Sequence, residues 1–309
     1  MILSLEVKAA KNVRAKSLRL MKGKMVKKHL LYERLKYPLL LVLVALMWSA
    51  SGFCVKQIDW NPVAIAGARS GFAAVTVLVL CRKTKINWGI PTITGAVSYA
   101  LMLLSFITAL KMTTSANAIM LQYTAPIYVA VLGALFLRER PHFYDWLTIG
   151  AVIIGMLLFF RDQMVPGGMT GNFVAIFSGV MSAVYAVSMR KQKHGSPFAS
   201  VLLGHILAFI CGAFFMFSGS PGWNGWLVIA LLGVLQIGIP SVLYSVAIKH
   251  VTALEASIIT MVEPLVNPIW VFLIIGEQPG FWAMVGGVVI LLAISARYIL
   301  PAIFSRRNR

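Results

Sequence analysis

Residues 109–141, ALKMTTSANAIMLQYTAPIYVAVLGALFLRERP, and residues 247–279, AIKHVTALEASIITMVEPLVNPIWVFLIIGEQP, align without a gap when each position is compared with the one 138 residues later. Chance matching of two segments rich in Ala, Leu and Val would explain shared apolar residues. It explains poorly the lysines, prolines and glutamates that recur at one spacing, so the chain contains an internal repeat. These matches pair Lys111 with Lys249, Thr114 with Thr252, Pro126 with Pro264, Glu139 with Glu277 and Pro141 with Pro279.

The composition is that of an integral membrane protein. Of the 309 residues, 59% are hydrophobic and 12% are charged, against roughly 45–50% and 25% in a soluble domain. The formal net charge of +19 would favour nucleic-acid binding in a soluble protein. Here eleven of the 28 Lys and Arg residues precede residue 37, and most others lie between apolar runs. The predicted partner is therefore the lipid bilayer and not a nucleic acid.

Ten apolar runs reach the roughly 20 residues that a bilayer-spanning helix needs. Alternate gaps between them carry most of the remaining Lys and Arg, and such loops stay in the cytoplasm. The same side holds the basic tails, residues 1–36 and 301–309. The sequence therefore predicts an all-α integral membrane protein with ten transmembrane helices and both termini cytoplasmic. The runs cover residues 37–56, 62–81, 90–110, 114–137, 143–161, 171–189, 198–217, 226–248, 253–275 and 280–300.

The ten runs divide into two sets of five, residues 37–161 and 171–300. An odd number of spans makes the second set enter the membrane the opposite way up. The prediction is two inverted five-helix repeats, an arrangement found in many secondary transporters. For the N-terminal tail two interpretations stay open: an amphipathic helix on anionic lipid, or a segment that precedes a start of translation at Met21 or Met25.

Glu263 lies at the middle of the membrane in this topology. It comes ten residues after the start of its run, or about 15 Å into a hydrocarbon core about 30 Å thick. Pro126 of the first repeat reaches a similar depth from the other side. Proline removes a helical hydrogen bond and leaves backbone carbonyls free. Pro126, Pro264 and Pro268 are therefore predicted helix breaks beside a site between the repeats.

Two charged residues, Glu263 and Arg69, are predicted deep inside spans. An acid at this depth costs about 2.5–3.5 kcal/mol on insertion scales, so it needs a cavity, a cationic partner or a proton. One interpretation makes Glu263 a substrate or proton site and Arg69 an anion contact or its charge partner. The other makes both of them packing residues that backbone carbonyls, or each other, satisfy.

Further polar and aromatic side chains fall near the same depth and are predicted to line a substrate pathway. For each, the alternative is helix packing, at about 0.6 kcal/mol per hydrogen bond, or an interfacial aromatic belt. Glu139 and Glu277 lie at span ends, where capping is expected. The candidates are Asn117, Gln122, Tyr123, Asn267, Trp48 and Tyr185, with Tyr99, Gln236 and Tyr244 under the same two interpretations. His205 is either a proton carrier or a packed residue with one hydrogen bond.

The sequence predicts neither an enzyme nor a metal or cofactor site. It lacks HExxH, GxSxG, Walker and dinucleotide-binding motifs, and Cys54, Cys81 and Cys211 have no metal-ligand spacing. With no nucleotide-binding domain recognised, transport would draw on an ion gradient, with protons one option, or on the gradient of the substrate.

Residues 38–300 resemble the ten-span EamA-type branch of the drug/metabolite transporter superfamily. The similar motifs are LQYTAPIYVAVLGALFLRERP at 121–141, MVEPLVNPIWVFLIIGEQP at 261–279, LMWSASGFCVKQ at 46–57 and NPVAIAGARSGFAA at 61–74. The sixth span, SGVMSAVYAVSMRK, departs from the family because it lacks the usual Trp, and Tyr185 is only an approximate substitute.

The resemblance implies a bacterial inner-membrane carrier, commonly an exporter of amino acids or other small metabolites. Such carriers work by alternating access, with a cavity between two five-helix halves. The alternative is a membrane protein that does not transport, such as a sensor or a scaffold. An intramembrane enzyme is a more distant alternative.

Overall fold

The computed structural model describes residues 35–49, 55, 58–82, 86–161, 168–266 and 280–307, and all regular secondary structure in these ranges is helical. Asn267, Pro268, Glu277 and Pro279 lie outside the described residues. The helices are α1 (Leu35–Trp48), α2 (Pro62–Leu80), α3 (Ile90–Met112), α4 (Ser115–Gln122), α5 (Ala125–Phe136), α6 (Phe143–Phe159), α7 (Met169–Lys191), α8 (Pro197–Ala213), α9 (Gly222–Leu231), α10 (Ile239–Ala247), α11 (Ala253–Thr260) and α12 (Phe281–Arg307).

The all-helical membrane fold is consistent with the sequence prediction. Five described stretches are long and apolar enough to cross a bilayer by length and composition, and four shorter apolar helices accompany them. The count of ten spans remains a prediction. The long stretches are Pro62–Leu80, Ile90–Met112, Ala116–Phe136, Met169–Lys191 and Gly222–Ala247, and the shorter helices are Leu35–Trp48, Phe143–Phe159, Pro197–Ala213 and Phe281–Arg297.

The repeat seen in the sequence recurs in the local structure of α4 and α11. Both helices have eight residues, and each begins after a threonine, Thr114 or Thr252, whose hydroxyl accepts a backbone hydrogen bond of 3.1 Å. Each helix then breaks into a two-residue turn, at 123–124 or 261–262. The helix resumes at the residue before Pro126 or Pro264. Proline is accepted there because the backbone N–H groups of the first helical turn have no partner within the helix, so the N–H that proline lacks is not missed.

Glycines bring helices of the first repeat against helices of the second. A Cβ atom on Gly212 of α8 would lie 2.5 Å from Cα of Gly67 of α2. A Cβ on Gly286 of α12 would lie 2.4 Å from the backbone oxygen of Gly155 of α6. Small residues let membrane helices approach closely, so the two sequence halves pack through α2 with α8 and through α6 with α12.

Candidate functional site

A cavity of about 110 Å³ lies between helices from both halves of the sequence. That volume is several times the share of about 30 Å³ that one water molecule has in the liquid. Its walls come from α1 to α5, α7, α10 and α11, from the turn after α4, from Glu263 after the turn that ends α11, and from the segment between α9 and α10. The predicted pathway residues that line it are Trp48, Arg69, Gln122, Tyr123, Tyr185 and Glu263.

Asn117 lies outside this lining. Its side-chain nitrogen is 3.4 Å from the hydroxyl of Thr113, and that hydroxyl donates to Asn172 of α7. Positions 117 and 122 are five residues apart, which is about 140° around a helix. Asn117 and Gln122 therefore cannot face the same cavity, and Asn117 belongs to the contact between α7 and the turn before α4.

Three hydroxyl residues line the cavity although the sequence analysis did not select them: Ser182, Ser257 and Thr260. Ser257 and Thr260 are three residues apart in α11, so they share one side of that helix. Glu263 follows them after the turn at 261–262. Tyr99, Gln236 and Tyr244, which the sequence offered as further candidates, also line the cavity.

Glu263 receives a hydrogen bond from the opposite repeat. The Tyr123 hydroxyl donates to Oε2 of Glu263 over 2.5 Å. Tyr123 lies in the two-residue turn after α4, and Glu263 follows the equivalent turn after α11. The two matched helix breaks thus bring the acid and its donor together at the cavity wall.

Arg69 is a buried cation with unused donors. Its side chain is 3% exposed. Nε and Nη1 have no hydrogen-bond partner among the residues that the structure describes. A guanidinium has five N–H donors and no acceptor, and buried donors without a partner are costly. Arg69 is therefore suited to bind an anionic group inside the cavity.

Aromatic rings form a connected wall on the cavity. Tyr99 stacks on Tyr185 with ring centroids 4.4 Å apart, and Tyr185 stacks on Tyr244 at 5.8 Å. Trp48 lies 5.7 Å from Tyr244. Such rings offer a large apolar surface together with hydroxyl groups. The wall can accommodate an apolar part of a solute while the charged residues bind its polar groups.

His205 is buried behind this wall and is not part of the cavity lining. Its ring lies 4.9 Å from that of Tyr99, and its Nε2 is 3.4 Å from both the Tyr99 hydroxyl and the Ser241 hydroxyl. Tyr99 and Ser241 are themselves joined by a bond of 2.8 Å. His205 therefore lies behind the cavity wall, in contact with Tyr99.

A second polar cluster, Glu139 with Arg190, joins the ends of α5, α7, α10 and α11. Glu139 Oε1 accepts from Arg190 Nε at 2.7 Å, and Oε2 accepts from the Ala253 backbone N–H at 3.1 Å. Arg190 also donates to the backbone oxygens of Ile248 and Lys249, at 3.2 and 2.7 Å. Glu139 thus caps a helix, as expected, and also carries an ion pair between the two repeats.

Within the described part of the chain, no group of three or more His, Cys, Asp and Glu side chains could hold a metal ion. The polar groups at the cavity are instead one acid, one guanidinium, amides and hydroxyls. This set can bind a solute that has both hydrogen-bond donors and acceptors.

Comparison with known proteins identifies transporters similar to this chain. An uncharacterized transporter of Archaeoglobus fulgidus is 30% identical over 261 residues, which is 82% of this chain and 93% of the relative. The pseudopaline exporter CntI of Pseudomonas aeruginosa is 26% identical over 84% of this chain and 94% of its own length. A solved crystal structure aligns with a TM-score of 0.75 at 16% identity, over 86% of this chain and 98% of the other, which shows a shared fold.

The model of the EamA-like transporter family matches the chain twice, over residues 35–161 and 169–297. The resemblance inferred from the sequence motifs is thereby confirmed. Together with the 30%-identical transporter, the two matches establish that this protein belongs to the EamA-like transporter family, whose members are multi-pass membrane transporters of small molecules and not enzymes.

Proposed function

We propose that the protein is a secondary transporter that exports a small metabolite, such as an amino acid, by alternating access. The observation that carries the proposal is a cavity between the repeats that holds one half-buried acid, Glu263, and one buried guanidinium, Arg69. Charges inside a membrane protein are expensive and mark substrate or ion pathways. Outward transport is favoured because one relative, CntI, is named an exporter.

The two charges have different roles in this proposal. Arg69, with its unused N–H donors, binds an anionic group of the substrate. Glu263, which already accepts from Tyr123, binds a cationic group or carries a proton that is exchanged for the substrate. A solute with a carboxylate and an amine satisfies both residues.

The cluster of Glu139 and Arg190 serves as a gate in the proposed cycle. Positive charge in alternate gaps predicts that this end of the bundle is cytoplasmic. Glu139 belongs to the first repeat, whereas Arg190 and the three backbone partners belong to the second. Its bonds hold the cytoplasmic ends of the two repeats together and must break when the cavity opens to the cytoplasm.

The proposed architecture has ten spans in two inverted five-helix repeats, residues 37–161 and 171–300. It places the basic tails, 1–36 and 301–309, in the cytoplasm and the protein in the inner membrane. Support comes from the distribution of Lys and Arg and from the matching breaks after α4 and α11.

The test is uptake of labelled amino acids and other small metabolites into proteoliposomes, with and without a pH gradient. We expect at least one compound to be transported and Glu263→Gln to abolish its coupling or its transport. Asp59→Asn, an equivalent change at an exposed acid, is the control and should transport normally. A chain that transports nothing, with no phenotype for Glu263→Gln, would favour a sensor or scaffold instead.

A further inference from the structure

Gln236 lies on a π-helical segment, Leu232–Gly238, between α9 and α10. Pro240 explains the wider turn. In an α-helix its ring would clash with the carbonyl four residues earlier, that of Gln236, and would leave this carbonyl without a donor. The segment instead uses spacings of five residues, and the Ile239 N–H donates to the Val234 oxygen. π-turns inside helices are frequent at functional sites.

The orientation of the Gln236 amide follows from its partner. Its Nε2 donates to the backbone oxygen of Trp48 over 3.0 Å. A carbonyl can only accept, so the amide nitrogen and not the oxygen must face Trp48. The acceptor Oε1 is then left buried, and it has no partner among the described residues. The side chain is 6% exposed and lines the cavity.

Gln236 and Arg69 lie side by side on neighbouring helices. A Cβ atom on Gly233, one turn before Gln236, would come 2.6 Å from the backbone oxygen of Arg69. A Cβ on Gly238 would come 2.9 Å from the side-chain Cβ of Thr76. These close approaches fix the π-segment against α2 on both sides of Gln236. Buried donors on Arg69 and a buried acceptor on Gln236 therefore line the same cavity.

We propose that Gln236 is a specificity-determining residue that accepts a hydrogen bond from an N–H group next to the substrate's carboxylate. The proposal rests on the transport function proposed above and on Arg69 as the carboxylate site. The chemistry is complementary: the carboxylate accepts from Arg69, and the adjacent amine, which has three N–H donors when protonated, donates one to Oε1 of Gln236 and leaves the others for Glu263. A carboxylate without that amine would leave Oε1 unpaired and would bind more weakly.

The experiment compares L-leucine with 4-methylpentanoate, which is L-leucine without its amino group. Both have a branched apolar part for the aromatic wall. Calorimetric titration of the purified full chain in detergent gives the dissociation constant of each probe for the wild type, Gln236→Met and Gln192→Met. Gln192 is a half-buried glutamine at the end of α7, outside the cavity lining, and its Nε2 donates to Ser200 Oγ at 2.8 Å, so it is the control.

We expect the wild type to bind L-leucine more tightly, and Gln236→Met to reduce that preference about tenfold or more, as for a hydrogen bond to a charged group. Binding of 4-methylpentanoate should change little, and Gln192→Met should keep the preference. Equal weakening of both probes by Gln236→Met would overturn the proposal, because it would show that Gln236 only holds Trp48. Failure of both probes to bind the wild type would also overturn it. The proteoliposome screen tests the transport function separately, so transport by the wild type would still support that function if the Gln236 proposal failed.

Discussion

Breaking the Glu139–Arg190 pair should open the cavity towards the cytoplasm. The side chains of Glu139 and Arg190 are 22% and 12% exposed. An exposed ion pair is worth about 0–1 kcal/mol, and breaking a buried one costs about 3–5 kcal/mol. The energy of this partly buried pair should lie between these values. Glu139→Gln removes the charge and keeps one acceptor for the Ala253 N–H. We take the loss as about 2 kcal/mol, which shifts the ratio of open to closed molecules about 30-fold.

The assay is the rate at which a membrane-impermeant maleimide labels a cysteine placed at Ser182, on the cavity wall, in a chain whose native cysteines are replaced. In inside-out vesicles Glu139→Gln should label several-fold to 30-fold faster than the parent chain, and in right-side-out vesicles it should label more slowly. The control is Asp59→Asn, which neutralises an exposed acid outside this cluster. Equal effects of the two variants, or no effect of Glu139→Gln, would refute the gate.

Three further changes test other parts of the structure. Tyr123→Phe removes the hydroxyl that donates to the half-buried carboxylate of Glu263, a bond of about 1.5–3 kcal/mol. It should lower the initial transport rate in proteoliposomes about tenfold, and an unchanged rate would contradict this role. Gly67→Ala places a Cβ 2.6 Å from a backbone Cα of α8 and should destabilise the protein by about 1–3 kcal/mol. Gly150→Ala meets nothing within 4 Å and should be neutral or stabilising, and thermal unfolding in detergent compares the two. Cysteines at Ile86 and Lys193 should react with an impermeant maleimide only from the cytoplasmic side, and labelling of either from outside would contradict the topology.

The lining of the cavity was predictable where depth and chemistry coincide. Counting from the span ends places three polar residues, Glu263, Arg69 and Tyr123, at the middle of their spans. At that depth their side chains cannot reach the membrane–water interface. Asn117 satisfies the same depth criterion but faces another helix, because depth does not fix the angle around the helix axis. Only the partner helices decide that angle, and one sequence does not reveal which helices are neighbours.

The π-segment illustrates a different limit. Pro240 in the middle of an apolar run indicates a distortion, but proline alone does not distinguish a kink, a break or a wide turn. The choice depends on Gly233 and Gly238, which let the segment approach α2. The free oxygen of Gln236 results from this packing, together with the carbonyl of Trp48. Neither contact has a signature in the local sequence.

The two repeats contribute unequally to one cavity, and this asymmetry bears on the mechanism. The matched positions 125 and 263 both line it, as Ala and Glu, and so do 122 and 260, as Gln and Thr. The acid of the second repeat takes its hydrogen bond from Tyr123 of the first. Under alternating access the repeats move relative to each other, so this bond is strained or broken when they do. Glu263 then needs a new partner, either a substrate amine or a proton. This requirement couples the binding partner of Glu263 to the side of the membrane on which the cavity is open. A cavity with Ala at both position 125 and position 263 would not have this coupling.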